Sequence, residues 1–369
     1  MQSIFSNALS NLTKDHIRLS HTRQETLIWL VLLVLRHGTV CLWRLAAHAP
    51  SRAQTTSVRR RFYRFFQMVK IDAGDAARIV VGLLGLKNKP WVLAIDRTNW
   101  DFGRTSINIL MISVMWNGVG VPLLWTFLPK TGNSSTDERT QLFDRLHEIF
   151  PDMKIASLTG DREFIGEEWM RYLAEKKIPF ALRLRENQYV TRDGYARWSI
   201  SRIAQNLKPG ERIFLKGACR LGADGPPVRI VILRLKADEL LALACLSRPR
   251  CALAAYRKRW TIETLFANLK TRGFDMEATH LTDPGKLSTL MAILTIGAAL
   301  AIKTGACVNR AKPIPVKRHG RKAVSLFAHG LAHLRKLFAA PHIHQMTVLM
   351  KSILSYRMPP KPLLNAVFT

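Results

Sequence analysis

The chain has 369 residues, carrying 56 Lys and Arg against 26 Asp and Glu, for a formal charge of +30 at pH 7 and a hydrophobic content of 48%. That apolar fraction is ordinary for a folded protein, which excludes a disordered basic tail as the source of the charge and allows one large domain with insertions or two to three smaller ones. So large an excess argues against a small-molecule enzyme; its self-repulsion is tolerable beside a polyanion, and phosphate neutralisation makes nucleic acid the expected partner, ahead of an anionic membrane.

The first residues, Met1 to Ser6, show neither a basic segment nor an apolar core leading to a small-residue cleavage site, so a cytoplasmic setting is expected. The five cysteines, Cys41, Cys219, Cys245, Cys251 and Cys307, have no CxxC or finger-like spacing with His and read as free thiols of a reducing compartment. From about residue 14 to 85 the pattern is helical and basic. Residues 14–70 hold eleven Lys or Arg with only Asp15 and Glu25 as acids. Arg59 to Phe66 interleaves guanidinium groups with aromatic rings, which suits backbone contact and stacking, and residues 1–88 are read as a helical, basic DNA-end-binding domain. The apolar stretches Leu27–Leu35 and Leu287–Ile302 fall short of the roughly 20 residues that span a bilayer and read as buried helices, so no membrane is expected.

After residue 88 the texture changes to strands. Trp91–Ile95 is a continuous apolar run ending at Asp96, as expected of a central strand covered on both faces. Ile107–Trp116 and Val121–Leu128 follow, with Asn117-Gly118 and Gly120 as the turn signal between them. Ser135 and Glu138 have capping-box spacing and open a helix to about Phe150. Ile155–Leu158 is a fourth strand leading through Thr159-Gly160 to Asp161; a helix over 163–177 and a strand over 179–184 complete the series. The fold class predicted is α/β: a mixed sheet of the order found in ribonuclease-H-like nucleases over 89–185, then a separate antiparallel β insertion over 186–250, where Gly and Pro punctuate short segments. A helix over about 252–272 with Gly273 as its C-cap follows, residues 251–280 completing the core. Residues 281–369 read as a C-terminal helical region for dimerisation and DNA contacts.

Asp96 and Asp161 each stand at the C-terminal end of a predicted strand, where strand ends of α/β sheets converge on a crevice. Tyr256, Arg259, Glu263 and Lys270 are offset by three, seven and fourteen residues. On one helix these fall within about 60°, with Trp260 about 40° to the other side, so a single face carries a carboxylate, two cations and two aromatics. Three carboxylates, Asp96, Asp161 and Glu263, suit two Mg²⁺ ions that assist phosphoryl transfer, whereas Zn²⁺ would favour the scattered His and Cys.

With these residues the chain resembles the insertion-sequence family four (IS-four) group of bacterial DDE transposases. Tyr256, Arg259, Glu263 and Lys270 match its Y-x2-R-x3-E-x6-K signature, and the segments Ile95 to Trp100 and Gly160 to Gly166 look like those carrying its two aspartates. The resemblance covers about residues 90–275. It implies Asp96, Asp161 and Glu263 as a metal-binding triad for two Mg²⁺, with Mn²⁺ able to substitute. It further implies Tyr256, Arg259 and Lys270 on the phosphates of the element's inverted repeats, and Trp260 packed on displaced DNA. Nicking, a hairpin intermediate, its reopening and strand transfer into target DNA are the reactions implied, carried out by a homodimer on paired ends of double-stranded DNA at the bacterial nucleoid. Two alternatives stand beside it: a transposase-derived DNA-binding protein that no longer cuts, and a nuclease of related fold.

Overall fold

The structure, a computed structural model, describes residues 2–355 apart from 104, 193–194, 247, 319 and 340–342. Residues 356–369 of the expected C-terminal region lie outside the described residues. The chain divides into two units, Asn88–Phe266 on one hand and Met1–Lys87 with Ala267–Thr369 on the other.

Five helices come first: α1 (Gln2–Lys14), α2 (His21–His37), α3 (Leu42–Ala47), α4 (Thr55–Met68) and α5 (Ala73–Leu84). The apolar run of α2 is buried, and Gly38 ends that helix in the left-handed conformation with its N–H bonded to Val34 O. In α4, Val58, Phe62, Phe65 and Phe66 recur at helical spacing and are buried, which turns Arg59, Arg60, Tyr63 and Arg64 to solvent. Asp72 caps α5 by accepting from the Gly74 N–H at 2.6 Å.

The second unit begins with an antiparallel meander of β1 (Pro90–Phe102), β2 (Thr105–Trp116) and β3 (Val119–Leu128). Asn117 (φ 50°) and Gly118 (φ 78°) make the two-residue turn that their sequence predicts, in the primed conformation whose twist matches the strands. β1 is longer than expected: it stays paired with β2 as far as Phe102↔Thr105, and from Thr98 to Asp101 its residues alternate buried and exposed. Asp96 is therefore internal to the strand. It lies two residues past Ala94↔Thr159, where pairing with the parallel neighbour stops.

That neighbour is β4 (Lys154–Gly160), reached through α6 (Thr136–Ile149), and it is followed by α7 (Glu167–Glu175) and the parallel β5 (Phe180–Arg183). Both halves of the Ser135–Glu138 capping box are present. α7 starts four residues later than the sequence suggests, because the Glu163 carboxylate is taken up by Ser134 and Arg97.

The next stretch holds β6 (Tyr189–Arg192), β7 (Tyr195–Ser199), α8 (Ile200–Ile203), β8 (Arg212–Phe214), β9 (Cys219–Arg220), β10 (Arg229–Lys236) and β11 (Glu239–Cys245). The expected separate insertion is corrected here. β11 pairs with β5, so the main sheet runs β3-β2-β1-β4-β5-β11-β10-β8, and only β7-β6-β9 form a sheet of their own. The reason is apolar content: Ile230 to Ile232 and Leu240 to Cys245 are buried, and such runs are stable only when covered on both faces. The predicted helix over 252–272 is likewise two helices, α9 (Pro249–Tyr256) and α10 (Trp260–Leu269), and the division between the units falls inside α10. Gly273 does not adopt the left-handed cap; it sits where a Cβ would meet Asn268 O at 2.2 Å.

The helical unit resumes with α11 (Pro284–Ala311), α12 (Leu326–Ala339) and α13 (Ile343–Ser355). α11 is long and apolar enough to cross a membrane by length and composition, yet 94% of its most apolar stretch is buried, packed by α2, α5, α12 and α13. Two of its polar side chains find partners there: Thr289 Oγ1 donates to Val69 O at 3.1 Å and accepts from Ile71 N–H, and the buried Lys303 ammonium donates to Leu83 O. The regions expected to be distinct, 1–88 and 281–369, thus form a single unit, because neither end of the chain buries its apolar faces alone.

Helices α11 and α12 cross at glycines. A Cβ on Gly305 would lie 1.9 Å from Leu326 O, and one on Gly330 1.9 Å from Ala301 O. Gly330→Ala is expected to destabilise the helical unit by about 1–3 kcal/mol in denaturant unfolding. Gly82→Ala, on an exposed turn of α5 with nothing within 4 Å, is expected to stabilise by about 0.5 kcal/mol. Equal effects of the two changes would contradict this packing.

Candidate active site

Parallel pairing of β1 with β4 sets the geometry. Since Leu93 lies beside Leu158 and Ala94 beside Thr159, Asp96, two residues further along β1, and Asp161, just past the end of β4, come up on the same side of adjacent strands. The exit of β4 is tight. A Cβ at Gly160 would stand 2.9 Å from Phe164 Cβ and 3.2 Å from Ile95 Cγ2, so glycine is required for Asp161 to turn away at that point. Phe164 N–H closes the turn onto Asp161 O at 2.9 Å.

The third acid arrives on α10. Ala252, Leu253 and Tyr256 of α9 pack into a core with Ala181 of β5, Val231 of β10 and Leu241, Leu243 and Cys245 of β11. Between Tyr256 and Trp260 the backbone tightens to i→i−3 bonds, Lys258 N–H to Ala255 O and Arg259 N–H to Tyr256 O. The start of α10 is held against the meander where Gly120 leaves room; a Cβ there would be 2.7 Å from Thr261 O. The assumption that Tyr256, Arg259, Glu263 and Lys270 share one face of one helix is therefore corrected, although the break still brings the first three together.

Arg259 is the hub. It is 3% exposed, and its Nη2 donates to Glu263 Oε1 at 2.6 Å while Nη1 lies 3.5 Å from Asp96 Oδ2. Tyr256 OH reaches Asp161 Oδ1 at 3.5 Å, the long limit of a hydrogen bond. Burial pushes the Asp96 carboxyl up to about 6; Asp161 and Glu263 push it the same way, and the Arg97 N–H and Arg259 oppose them. Burial pulls the Arg259 pKa down, but the neighbouring acidic groups Tyr256, Asp161 and Glu263 raise it above its ordinary value. Trp260, in contrast, is 64% exposed, with its ring 5.8 Å from the Arg259 guanidinium carbon. Lys270 belongs to the helical unit, where Nζ pairs with Glu277 Oε1 at 2.9 Å.

The donor set Asp96, Asp161 and Glu263 is all carboxylate oxygen, which fits a hard divalent cation and not Zn²⁺. Among the described residues, no three His, Cys, Asp or Glu side chains come close enough to share a metal as they stand. A cation is nevertheless inserted among them: the Arg259 guanidinium contacts two of the three.

Sequence reading missed the residues that steady this edge. Glu163 accepts from Ser134 N–H and Oγ at 2.9 Å and pairs with Arg97 at 3.2 Å. Arg97 also donates to Asn108 Oδ1 at 3.0 Å, and Asn108 Nδ2 holds the carbonyls of Lys130 and Gly132. Arg139, 5% exposed, bonds Ser134 and the Glu163 carbonyl. One signal was present: Asn108 is a polar residue within the apolar run of a strand.

Two further surfaces bear on ligands. On β6 and β7, Tyr189, Tyr195 and Trp198 are 50%, 66% and 42% exposed and lie under Arg197, Arg192 and Arg202 respectively. On α4, Arg59 lies 5.1 Å from the ring of Trp43 and 5.3 Å from that of Tyr63.

Residues 87–300 match the family model described as "Transposase DDE domain". No curated protein sequence matches the chain. Among solved structures, the chain is similar to a piggyBac transposase seen in a synaptic complex with hairpin DNA, at 15% identity over 91% of this chain and 77% of that one, TM-score 0.42. It is also similar to endonuclease V from Bacillus subtilis, at 13% identity over 62% of this chain and 93% of that one, TM-score 0.23. Both structural likenesses are distant, and the family match carries the assignment.

A carboxyl whose pKa rises on folding contributes stability that is complete below its unfolded value and lost as pH climbs through the folded one. For Asp96 that window runs from about 4 to about 6. Asp96→Asn is therefore expected to match the parent near pH 4 and to exceed it by about 3 kcal/mol above pH 6.5, measured by thermal unfolding in EDTA. Parallel pH profiles for the two proteins would place the Asp96 carboxyl in water.

Proposed function

The chain belongs to the DDE transposase family, and on that premise we propose that it is a cut-and-paste transposase of the IS-four type, acting on double-stranded DNA at the ends of its own element. DDE transposases are metal-dependent DNA cleavage and strand-transfer enzymes. The observation that carries the reading is the convergence of Asp96, Asp161 and Glu263, drawn from the interior of β1, the exit of β4 and a helix, about one buried arginine.

Asp96, Asp161 and Glu263 would hold two Mg²⁺ ions, with Mn²⁺ able to replace them. When bound, such ions supply activation of water or a 3′-hydroxyl and stabilise the leaving oxygen. Arg259 has hydrogen-bonding capacity to spare, since among the described residues Nε and Nη1 make no hydrogen bond, and it would take a phosphate oxygen next to the scissile bond. Tyr256 would hold the same backbone from the Asp161 side. Trp260, exposed beside Arg259, would pack on a displaced base, and Lys270 would contact a further phosphate. A hairpin intermediate and a homodimer on paired ends, in the bacterial cytoplasm at the nucleoid, complete the proposal.

The charge of +30 and the two exposed arginine-aromatic surfaces support DNA as the partner. On this reading residues 1–88, with the outward face of α4, bind the element ends.

Asp96→Asn, Asp161→Asn and Glu263→Gln are each expected to lower Mg²⁺-dependent cleavage of element-end DNA by at least about 10³-fold with DNA affinity retained, assayed by gel and by mobility shift. Normal cutting by any of the three removes that residue from the site. Binding without cutting by the parent protein favours the non-cleaving alternative, and cutting without joined products favours a nuclease. Lys270→Ala is expected to reduce the slope of log affinity against log salt by about one. An unchanged slope would leave Lys270 to its bond with Glu277.

A further inference from the structure

Arg259 is not merely near the carboxylates; it uses the oxygens that a metal would need. Nη2 is on Glu263 Oε1 at 2.6 Å and Nη1 faces Asp96 Oδ2 at 3.5 Å, in a pocket that leaves the residue 3% exposed. Asp96, with its side chain 18% exposed, and Glu263, at 36%, stand on either side of the guanidinium, and a cation between two such carboxylates offsets their mutual repulsion. The guanidinium fills that role incompletely. Nε and Nη1, both shielded from water, make no hydrogen bond among the described residues. A planar fork satisfied on one side only is poised to exchange its carboxylates for a tetrahedral oxyanion that engages the rest of its donors.

We propose that Arg259 and the divalent cation compete for the Asp96 and Glu263 oxygens, so that Arg259 restrains metal loading until a DNA phosphate draws the guanidinium away. This rests on the reading of the three acids as metal ligands. It assigns Arg259 a positioning role before the chemistry, distinct from any contact it makes during it. Because linkage is reciprocal, DNA that releases Arg259 tightens metal binding, and metal tightens DNA binding by the same factor. The device would keep free protein from loading metal, and hence from cutting, away from bound DNA.

Mn²⁺ binding to the full-length protein without DNA, followed by loss of the free-ion electron paramagnetic resonance signal, tests this without any activity assay. Arg259→Gln is expected to bind Mn²⁺ about tenfold more tightly than the parent, the equivalent of one charge-assisted hydrogen bond no longer competing. Arg257→Gln, which removes an exposed charge two residues away, is expected to stay within about twofold and so separates occupancy from the general field. Asp96→Asn is expected to weaken binding by about tenfold or more. Should Asp96→Asn weaken binding while Arg259→Gln leaves it unchanged, or tightens it no more than Arg257→Gln does, the competition is refuted and the metal site stands. Should Asp96→Asn bind like the parent, the metal-site reading fails and the competition with it. Arg259→Lys, whose ammonium can hold only one carboxylate at a time, gives a second measure if the glutamine variant does not fold; about threefold tightening is expected, and parental affinity refutes the proposal.

Discussion

Asp96 is largely withdrawn from water with Asp161 and Glu263 near enough to repel it, and the arrangement of this active edge contains that repulsion. Asp96 is held by a main-chain N–H and by Arg259, Glu263 by Arg259, and Asp161 by the Tyr256 hydroxyl. The compensating groups come from the α9–α10 junction, and the junction is itself fixed by apolar packing of α9 and by the space beside Gly120. Had α9 continued unbroken into α10, the three-residue bonds that direct Arg259 inward would be lost. The break is thus the local feature that converts a basic segment of sequence into a buried guanidinium.

Much of the core was legible because it depends on neighbours in sequence. Asn117-Gly118 specifies a tight turn, Ser135 and Glu138 cap a helix, and Gly160 before Asp161 marks a close strand exit. The first strand ran on past Asp96 because Thr98 to Phe102 take their partners from β2, and the alternation over five residues was too brief to read without that partner. Where the determining contact is remote, the sequence was misleading. Gly and Pro between residues 209 and 227 punctuate the chain strongly and suggested an independent insertion, yet the apolar content of β10 and β11 commits them to the edge of β5. Likewise, a periodicity of 3.6 cannot reveal a break of a single turn between Tyr256 and Trp260, since the side chains on either side remain helical in spacing.

The residues of the site divide along the same line. Asp96, Asp161 and Glu263 were accessible through residue type and position, whereas Glu163, Asn108 and Arg139 were not. Of their partners, Ser134 and the carbonyls of Lys130 and Gly132 are brought in by the loop between β3 and α6, and Arg97 by β1. These groups touch none of the three acids directly through their side chains in the bonds described, but they hold the loop and strand from which two of those acids emerge. Arg97, next to Asp96 in β1, links the two sets.

The helical unit carries a consequence for how the protein comes into being. Its first 87 residues emerge from the ribosome early, but the apolar faces of α2 and α5 are covered by α11, which is synthesised some two hundred residues afterwards. During that interval the nascent N-terminal segment exposes a sticky surface that chaperones or aggregation can claim. A prematurely terminated copy would remain in that condition permanently.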